Sequence, residues 1–297
     1  MDALTLSLDH VGLAVKDLAT AKDAYQKLGF NLTALSMHAG ANDTDGKIVP
    51  WGSGNHCAMF AQGYFEIIGL MDAALPSNVK KMVERYEGLH IVAMRCSRAE
   101  DAYSALIHAG VHALQPIALE RDTPFGVNND LIRRARFRNI YLDTDSYQEA
   151  RFIVIEHCTP EVLWQPHLLT HPNGAEALSG VYIVTATLDD TIARFRQLAG
   201  EPRQLGPAWE FSLTTGKIWV MAEDAMRRYA PVLRPPLNRV AAACIKVKSL
   251  ALLEDYFQQR QVPYELACCL DGVTKRYGSA RISQATRPYN SKNSQRR

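Results

Sequence analysis

Residues 8–15, Leu-Asp-His-Val-Gly-Leu-Ala-Val, show the clearest alternation of apolar residues with small or polar ones near the start of the chain. Alternate residues of a strand face opposite sides. The valines and leucines after His10 would therefore share one face, which suits packing against helices. His10 and Gly12 would share the other face, where small neighbours leave space in front of the imidazole. The pattern predicts a strand that presents one histidine on an open face.

The same order of elements recurs further along the chain. A second strand-like run, residues 89–94, also carries one histidine near its start, His90. Each run is followed by a segment of helical spacing that ends close to a glycine, Gly29 or Gly110, and then by further strands. Both copies finish on a strand that carries a glutamate. The spacing therefore predicts two copies of one unit made of a strand, a helix and three more strands.

Two further units of this kind follow a linker that contains several prolines. They lack the histidines, since Gly180 and Arg239 take the places that His10 and His90 hold in the first two units. The last residues are rich in Arg, Asn and Ser, which favours disorder. The predicted divisions are 1–158 for a first domain of two units, 159–178 for the linker, 179–285 for a degenerate second domain and 286–297 for a disordered tail.

Composition indicates a folded protein in a reducing compartment. Of the 297 residues, 47% are hydrophobic, and 33 basic residues against 31 acidic ones give a formal net charge of +2. Such a balance supplies no overall field that would favour nucleic acid or an anionic membrane. No apolar stretch approaches the roughly 20 residues of a membrane helix. The six cysteines form no C-x-x-C pair, so we expect reduced thiols and a cytoplasmic location.

Four such units, headed by an Asp-His strand start, resemble the vicinal oxygen chelate superfamily, and more narrowly its glyoxalase-like members. The resemblance covers about residues 5–285. It implies an α+β fold in which four βαβββ modules pair into two curved mixed β-sheet cups with helices outside. In that superfamily a cup encloses a divalent metal, with ligands from the first and last strand of each unit. The ligands that it implies here are His10, Glu66, His90 and Glu156.

Two imidazoles and two carboxylates make a mixed nitrogen and oxygen site suited to one divalent ion such as Zn, Ni, Co, Mn or Fe(II). A substrate with adjacent oxygens could chelate such an ion, which would stabilise an enediolate while Glu66 or Glu156 moved the proton. Each residue alone is more often structural, but their repeated placement favours a metal site. A register shift of one residue would turn Glu156 outward and bring His157 inward.

Two further residues are candidates for contact with a substrate. His56 could face the same cup, or it could be a histidine at a loop edge without a catalytic role. Arg134, Arg136 and Arg138 alternate along one strand face, and Arg136 could bind an anionic group of the substrate. Such an alternation is more often a solvated or interface face. The loop at 122–130 could form a lid or a plain connection.

The leading hypothesis is a metal-dependent enzyme with lyase or isomerase chemistry on a small substrate chelated through vicinal oxygens. An Fe(II)-dependent extradiol-type dioxygenase would use His10, His90 and Glu156. That alternative is disfavoured because known four-unit dioxygenases hold their metal in the second pair of units, whereas the histidines here lie in the first. A third alternative is a metal-free protein that sequesters a ligand. The second pair would serve as a scaffold or as a homodimer surface.

Overall fold

The computed structural model describes residues 4–41, 48–229, 238–264 and 279–282. Every structural statement below concerns these residues. The tail predicted at 286–297 lies outside them.

The first two units form one eight-stranded sheet. Its strands are β1 (Ser7–Val15), β2 (Ser36–Ala41), β3 (Ile48–Met59), β4 (Tyr64–Leu70), β5 (Gly88–Arg95), β6 (Ile117–Phe125), β7 (Leu131–Tyr141) and β8 (Arg151–His157). The order across the sheet is β2-β3-β4-β1-β5-β8-β7-β6. β1 and β5 are antiparallel at the centre, and each is parallel to the last strand of its own unit. The outer strands β2 and β6 lie against each other, so the sheet curls into an almost closed cup.

Helices α1 (Leu18–Lys27) and α3 (Ala99–His108) cover the convex side of this sheet. Helix α2 (Asn78–Arg85) lies on the other side, where Val79 and Val83 pack on Ala14 and Ile68. The side chain of Asp17 caps α1 by accepting a hydrogen bond from the backbone N–H of Thr20 at 2.9 Å, which satisfies one of the free donors of the first turn. The apolar face of β1 and the buried face of α1 belong to one core. The prediction that this face of residues 8–15 packs against helices is confirmed.

The third and fourth units form a second, six-stranded sheet in the order β10-β11-β12-β9-β13-β14. Its strands are β9 (Ala175–Thr185), β10 (Arg203–Leu205), β11 (Ala208–Ser212), β12 (Lys217–Ala222), β13 (Arg239–Val247) and β14 (Ser279–Ile282). Its helices are α5 (Leu188–Ala199), α6 (Glu223–Tyr229) and α7 (Leu250–Gln259), and the linker between the sheets contains α4 (Pro160–Leu163). The predicted fold of paired βαβββ modules is confirmed. The division into two domains stays a prediction, since one apolar core extends through both sheets.

The concave side of the second sheet is filled by the protein itself. Ala225 and Met226 of α6 pack on Tyr182 and Met221, and all four side chains are buried. The distance to the following helix identifies the positions equivalent to His10. His10 lies eight residues before the start of α1, and Gly180 lies eight residues before the start of α5. By the same spacing the matching residue of the fourth unit is Ala242, so the placement predicted for Arg239 was wrong by three positions. Among the described residues, α2 covers one end of the first concave face, and a pocket lies at the other part of that cup.

One boundary differs from the sequence prediction in a way that matters for the site. The loop predicted at 122–130 is shorter, because β6 continues to Phe125 and pairs with β7 along its whole length. Pro124 interrupts the sequence pattern of a strand, yet β6 is the edge strand of the sheet, where a missing N–H is tolerated. The additional strand residues bring Arg121 and Thr123 to the rim of the cup.

Candidate functional site

His10 lies on the concave face of β1, as its strand position predicts. The pairing of β1 with β5 is irregular between Leu8 and His10, so the side chains of Asp9 and His10 lie on the same side of the sheet. The imidazole of His10 stacks on the ring of Tyr64 with 4.3 Å between the centroids. The Nδ1 atom of His10 donates to Asp9 Oδ1 at 2.8 Å. This hydrogen bond fixes the orientation of the ring and leaves Nε2 for other partners.

Asp9 is fully buried and joins two histidines. His157 Nε2 lies 3.1 Å from both carboxylate oxygens, and Arg95 Nε lies 3.8 Å from Oδ2. Burial acts to raise the pKa of Asp9, but the charge of His157 and hydrogen bonds from both imidazoles outweigh it and hold the pKa well below its usual range. Asp9 is therefore an ionised group that the surrounding cations and donors stabilise.

Glu66 lies beside His10 on the same face. Its strand β4 is parallel to β1, with Glu66 opposite Gly12. A Cβ at position 12 would lie 2.9 Å from Ile91 Cβ and Cδ1 and 3.1 Å from Glu66 Oε2, so the missing side chain of Gly12 leaves room for both residues. The amide of Asn55 donates to Glu66 Oε1. Asn55 Oδ1 in turn accepts a hydrogen bond from Arg121 at 3.4 Å.

A pocket opens at the rim of the cup, next to this polar group. It holds about 470 Å³ of space not occupied by atoms, including the part open to solvent. The apolar wall of the pocket includes Met59, Tyr64, Val162, Leu163 and Leu168. The polar wall includes Ser36, Asn55, Arg121 and Thr123. Three buried atoms on the polar wall have no hydrogen-bond partner, namely Ser36 Oγ, Arg121 Nε and Thr123 Oγ1.

Sequence reasoning did not find Arg121. It selected Arg136 instead, which lies on the outer face of the β6–β7 ribbon, 60% exposed and 3.4 Å from Glu120. Pairing sets Arg121 opposite Ala135, and the buried Ala135 shows that this face of the ribbon points into the cup. The sequence did hold a signal. Glu120 and Asp122 pair with the outer arginines, so Arg121 and Thr123, which alternate with them along the strand, must face the other side.

Glu156 does not face the cup. Its Oε2 accepts a hydrogen bond from the backbone N–H of Ala99, the first residue of α3, at 2.8 Å. It therefore lies on the helix side of the sheet, and its neighbour His157 points inward to Asp9. The alternative register considered for this strand is the observed one, and the predicted role of Glu156 as a cup-facing ligand and base is corrected accordingly.

His90 also departs from the predicted arrangement. It precedes α3 by nine positions, whereas His10 precedes α1 by eight, so Ile91 occupies the place equivalent to His10. The ring of His90 stacks on Tyr86 with 3.9 Å between the centroids, and its Nε2 lies 2.9 Å from the backbone oxygen of Tyr86. Burial lowers the pKa of His90 to about 4. The side chain is a neutral part of the packing between the two sheets.

His56 lies on the convex side of β3. It pairs with Ile67, a residue of the helix-side core, and its Nδ1 lies 2.8 Å from the backbone oxygen of Thr33. Its strand neighbours on either side, Asn55 and Cys57, are the residues that line the pocket. The expected contact between His56 and a substrate is therefore corrected to a contact with the chain itself.

The residues present do not fit the four-ligand metal site implied by the resemblance. His10 and Glu66 face the cup, but the equivalent places in the second unit hold Ile91 and Ile153, since Ile153 pairs with Ala93 as Glu66 pairs with Gly12. The donor atoms of Asp9 are already engaged with two imidazoles. Within the described ranges, no group of three or more His, Cys, Asp or Glu side chains is arranged to hold a metal ion. Catalytic metal sites commonly use three protein ligands.

A curved sheet of two paired βαβββ units, open on its concave side, is the architecture of the vicinal oxygen chelate superfamily, whose members commonly bind a divalent metal. Residues 8–199 match the family model described as Glyoxalase-like domain, Glyoxalase_3. Because this match covers more than half of the chain, the protein belongs to that family. A comparison with curated proteins gives no match.

Solved structures are similar to this chain at low sequence identity. A hypothetical protein from Staphylococcus aureus is 14% identical with a TM-score of 0.52, over 73% of this chain and 86% of that one. A mutant 4-hydroxymandelate synthase from Streptomyces coelicolor is 13% identical with a TM-score of 0.53, over 86% and 75%. Methylmalonyl-CoA epimerase from Mycobacterium tuberculosis is 20% identical with a TM-score of 0.37, over 53% and 92%. Among the described helices, none is long and apolar enough to span a membrane.

Proposed function

We propose that the protein is a glyoxalase-like enzyme of the isomerase or lyase type, which moves a proton on a small organic molecule held in the first cup. The observation that carries the proposal is the placement of Glu66 beside His10 and Tyr64 on the concave face, next to a pocket that Tyr64 lines. A carboxylate next to a protonated phenol is a suitable pair for removing a proton beside a carbonyl group.

Each of these side chains has a distinct part in the proposed reaction. Glu66, oriented by the amide of Asn55, would accept the proton from carbon. Burial, together with the charges of Asp9 and Glu66, raises the pKa of Tyr64 well above its ordinary value. The phenol therefore stays protonated and can donate to the oxygen on which negative charge develops. His10, held by Asp9, keeps the Tyr64 ring in place by stacking against it.

The metal-dependent form of this function, expected from the sequence, would need more ligands than the cup supplies at the matching positions. The proposed proton transfer is therefore assigned to side chains of the chain itself.

A metal-free binding protein without turnover is the second candidate. It is favoured by one observation, namely that Asn55 lines the pocket while Glu66 lies behind it and is already hydrogen-bonded. In that case Glu66 would orient the wall of the pocket rather than react.

Exchange of carbon-bound hydrogen for deuterium separates the two candidates. The chelator-treated protein would be incubated in D₂O with 2-oxo acids, 2-hydroxy ketones and acyl thioesters, and proton NMR would follow loss of the signal beside the carbonyl. We expect catalysed exchange that falls by about 100-fold or more in Glu66→Gln and is unchanged in Glu156→Gln, whose side chain lies on the other side of the sheet. Exchange that persists in Glu66→Gln would refute the assignment. Binding without exchange would favour the second candidate.

A further inference from the structure

We infer that the ligand of the first cup is an organic acid whose carboxylate binds Ser36, Arg121 and Thr123, and whose apolar body lies against the apolar wall of the pocket. The inference rests on the proposed small-molecule site, and it does not depend on the reaction that takes place there.

Three unpartnered atoms in one pocket form the first step of the argument. Ser36 Oγ, Arg121 Nε and Thr123 Oγ1 are buried without a hydrogen-bond partner, and all three residues line the same pocket. Buried polar groups are nearly always hydrogen-bonded in folded proteins, because leaving them unpaired is costly. Ser36 belongs to β2 and the other two to β6, the outer strands that meet where the cup closes. The curvature of the sheet thus gathers these groups around a shared space.

The chemistry of the three groups indicates an anion. A guanidinium N–H can only donate, and both hydroxyls can donate as well. Arg121 makes one side-chain hydrogen bond, to Asn55 at 3.4 Å, and no carboxylate of the described residues forms an ion pair with it. The outer arginines of the same ribbon differ in this respect, because Arg134 and Arg136 are both paired with Glu120. A planar guanidinium with free donors on one edge matches the two oxygens of a carboxylate.

The apolar wall determines the rest of the ligand. Val162 and Leu163 come from α4, and Leu168 follows in the next turn of the linker, all three buried. No charged side chain of the described pocket lining other than Arg121 faces this space. A ligand that fills both walls therefore has one anionic end and a hydrocarbon or aromatic body.

Gln165 fixes the distance between the two walls. Its Oε1 accepts from the backbone N–H of Gly126 at 2.8 Å, and its Nε2 donates to the backbone oxygens of Pro124 and Val162, both at 3.1 Å. The side chain thus ties the end of β6, which carries Arg121, to α4. Because Gln165 is 4% exposed, these bonds are shielded from water. The side chain of Gln165 therefore links the polar and the apolar part of the pocket lining.

Calorimetric titration with matched acids and amides tests the inference. The probes are hexanoate, phenylacetate and 3-phenylpropionate, the amide of each, and inorganic phosphate. We expect at least one acid to bind wild-type protein about tenfold or more tightly than its amide, and Arg121→Met to weaken that acid by a similar factor. Thr123→Val should weaken it by a smaller factor. Arg136→Met, the same change on the outer face of the ribbon, should leave the affinity unchanged.

Several outcomes would overturn the inference. These are equal affinity for acid and amide, wild-type affinity in a folded Arg121→Met, tighter binding of inorganic phosphate than of any acid, and no binding of any acid to the folded wild-type protein. Thermal melting of each variant checks folding. Acid binding that depends on Arg121 without hydrogen exchange would contradict the proposed reaction and support the inference. Hydrogen exchange on a neutral compound that Arg121→Met does not affect would support the proposed reaction and contradict the inference.

Discussion

Replacing Glu156 by alanine distinguishes the observed register of β8 from the one that the sequence resemblance implies. In the structure, Glu156 accepts the backbone N–H of Ala99 at 2.8 Å and supplies negative charge to the first turn of α3. The residue at the N-cap position, Arg98, makes no capping hydrogen bond through its side chain. The carboxylate from β8 therefore takes the part that a capping side chain usually plays.

The expected loss follows from these two contributions. Removing a capping acceptor costs about 1 kcal/mol, and removing a negative charge near a helix N-terminus costs about 0.3–1 kcal/mol. Glu156→Ala should therefore lower the free energy of unfolding by about 1–2 kcal/mol. For a protein of this size, that corresponds to a fall of about 2–8 °C in Tm. Glu156→Gln keeps an oxygen acceptor and loses only the charge, so it should lose the smaller part.

Urea unfolding followed by circular dichroism measures this loss, and Glu84→Ala, a change at an exposed glutamate of α2, serves as the control. Hydrogen exchange and acid binding are measured on the same samples. The reasoning is refuted if Glu156→Ala unfolds at the wild-type urea concentration while exchange or ligand binding is lost. That result would put the carboxylate inside the cup.

Three further results are expected. Gly12→Ala should destabilise the fold by about 1–3 kcal/mol, since the new Cβ would lie 2.9 Å from Ile91 Cβ and Cδ1. It should also slow hydrogen exchange, because the same Cβ would lie 3.1 Å from Glu66 Oε2; unchanged exchange kinetics would contradict this. Burial lowers the pKa values of His38 and His90 to about 4, so the unfolded chain takes up protons at a higher pH than the folded one. The free energy of unfolding should therefore fall as the pH drops from about 6.5 to about 4, on the order of 2 kcal/mol at pH 5 for His90. Urea midpoints at pH 7 and pH 5 measure this fall. Elemental analysis without chelator or tag metal should find well under one divalent ion per chain, and a stoichiometric ion lost in His10→Ala would show a metal site that includes His10.

The alternation of residues 8–15 was sufficient to put His10 on the concave face and the neighbouring apolar side chains in the core. The repeated order of elements was sufficient for the fold, because each unit carries its own strand and helix periodicity. Gly12 also carried information, since a position without a side chain on the concave face leaves room for Ile91 and for the carboxylate of Glu66.

The second half of the site depended on features that periodicity does not show. One additional residue between His90 and α3 moves the imidazole out of the place equivalent to His10, and a shift of one residue in β8 exchanges Glu156 for His157. Arg121 was missed for a related reason. Which face of a two-stranded ribbon points inward depends on how the ribbon closes against β2, and that contact joins residues far apart in sequence.

The seven-residue helix α6 limits which substitutions the second sheet tolerates. Because α6 packs on the concave side of that sheet, substitutions there are limited by side-chain volume, as in any core. The first sheet is covered on this side by α2 at one end, and the residues around its pocket are constrained by the ligand that we propose. Because that ligand site belongs to the first sheet alone among the described residues, a ligand titration should saturate at a single equivalent.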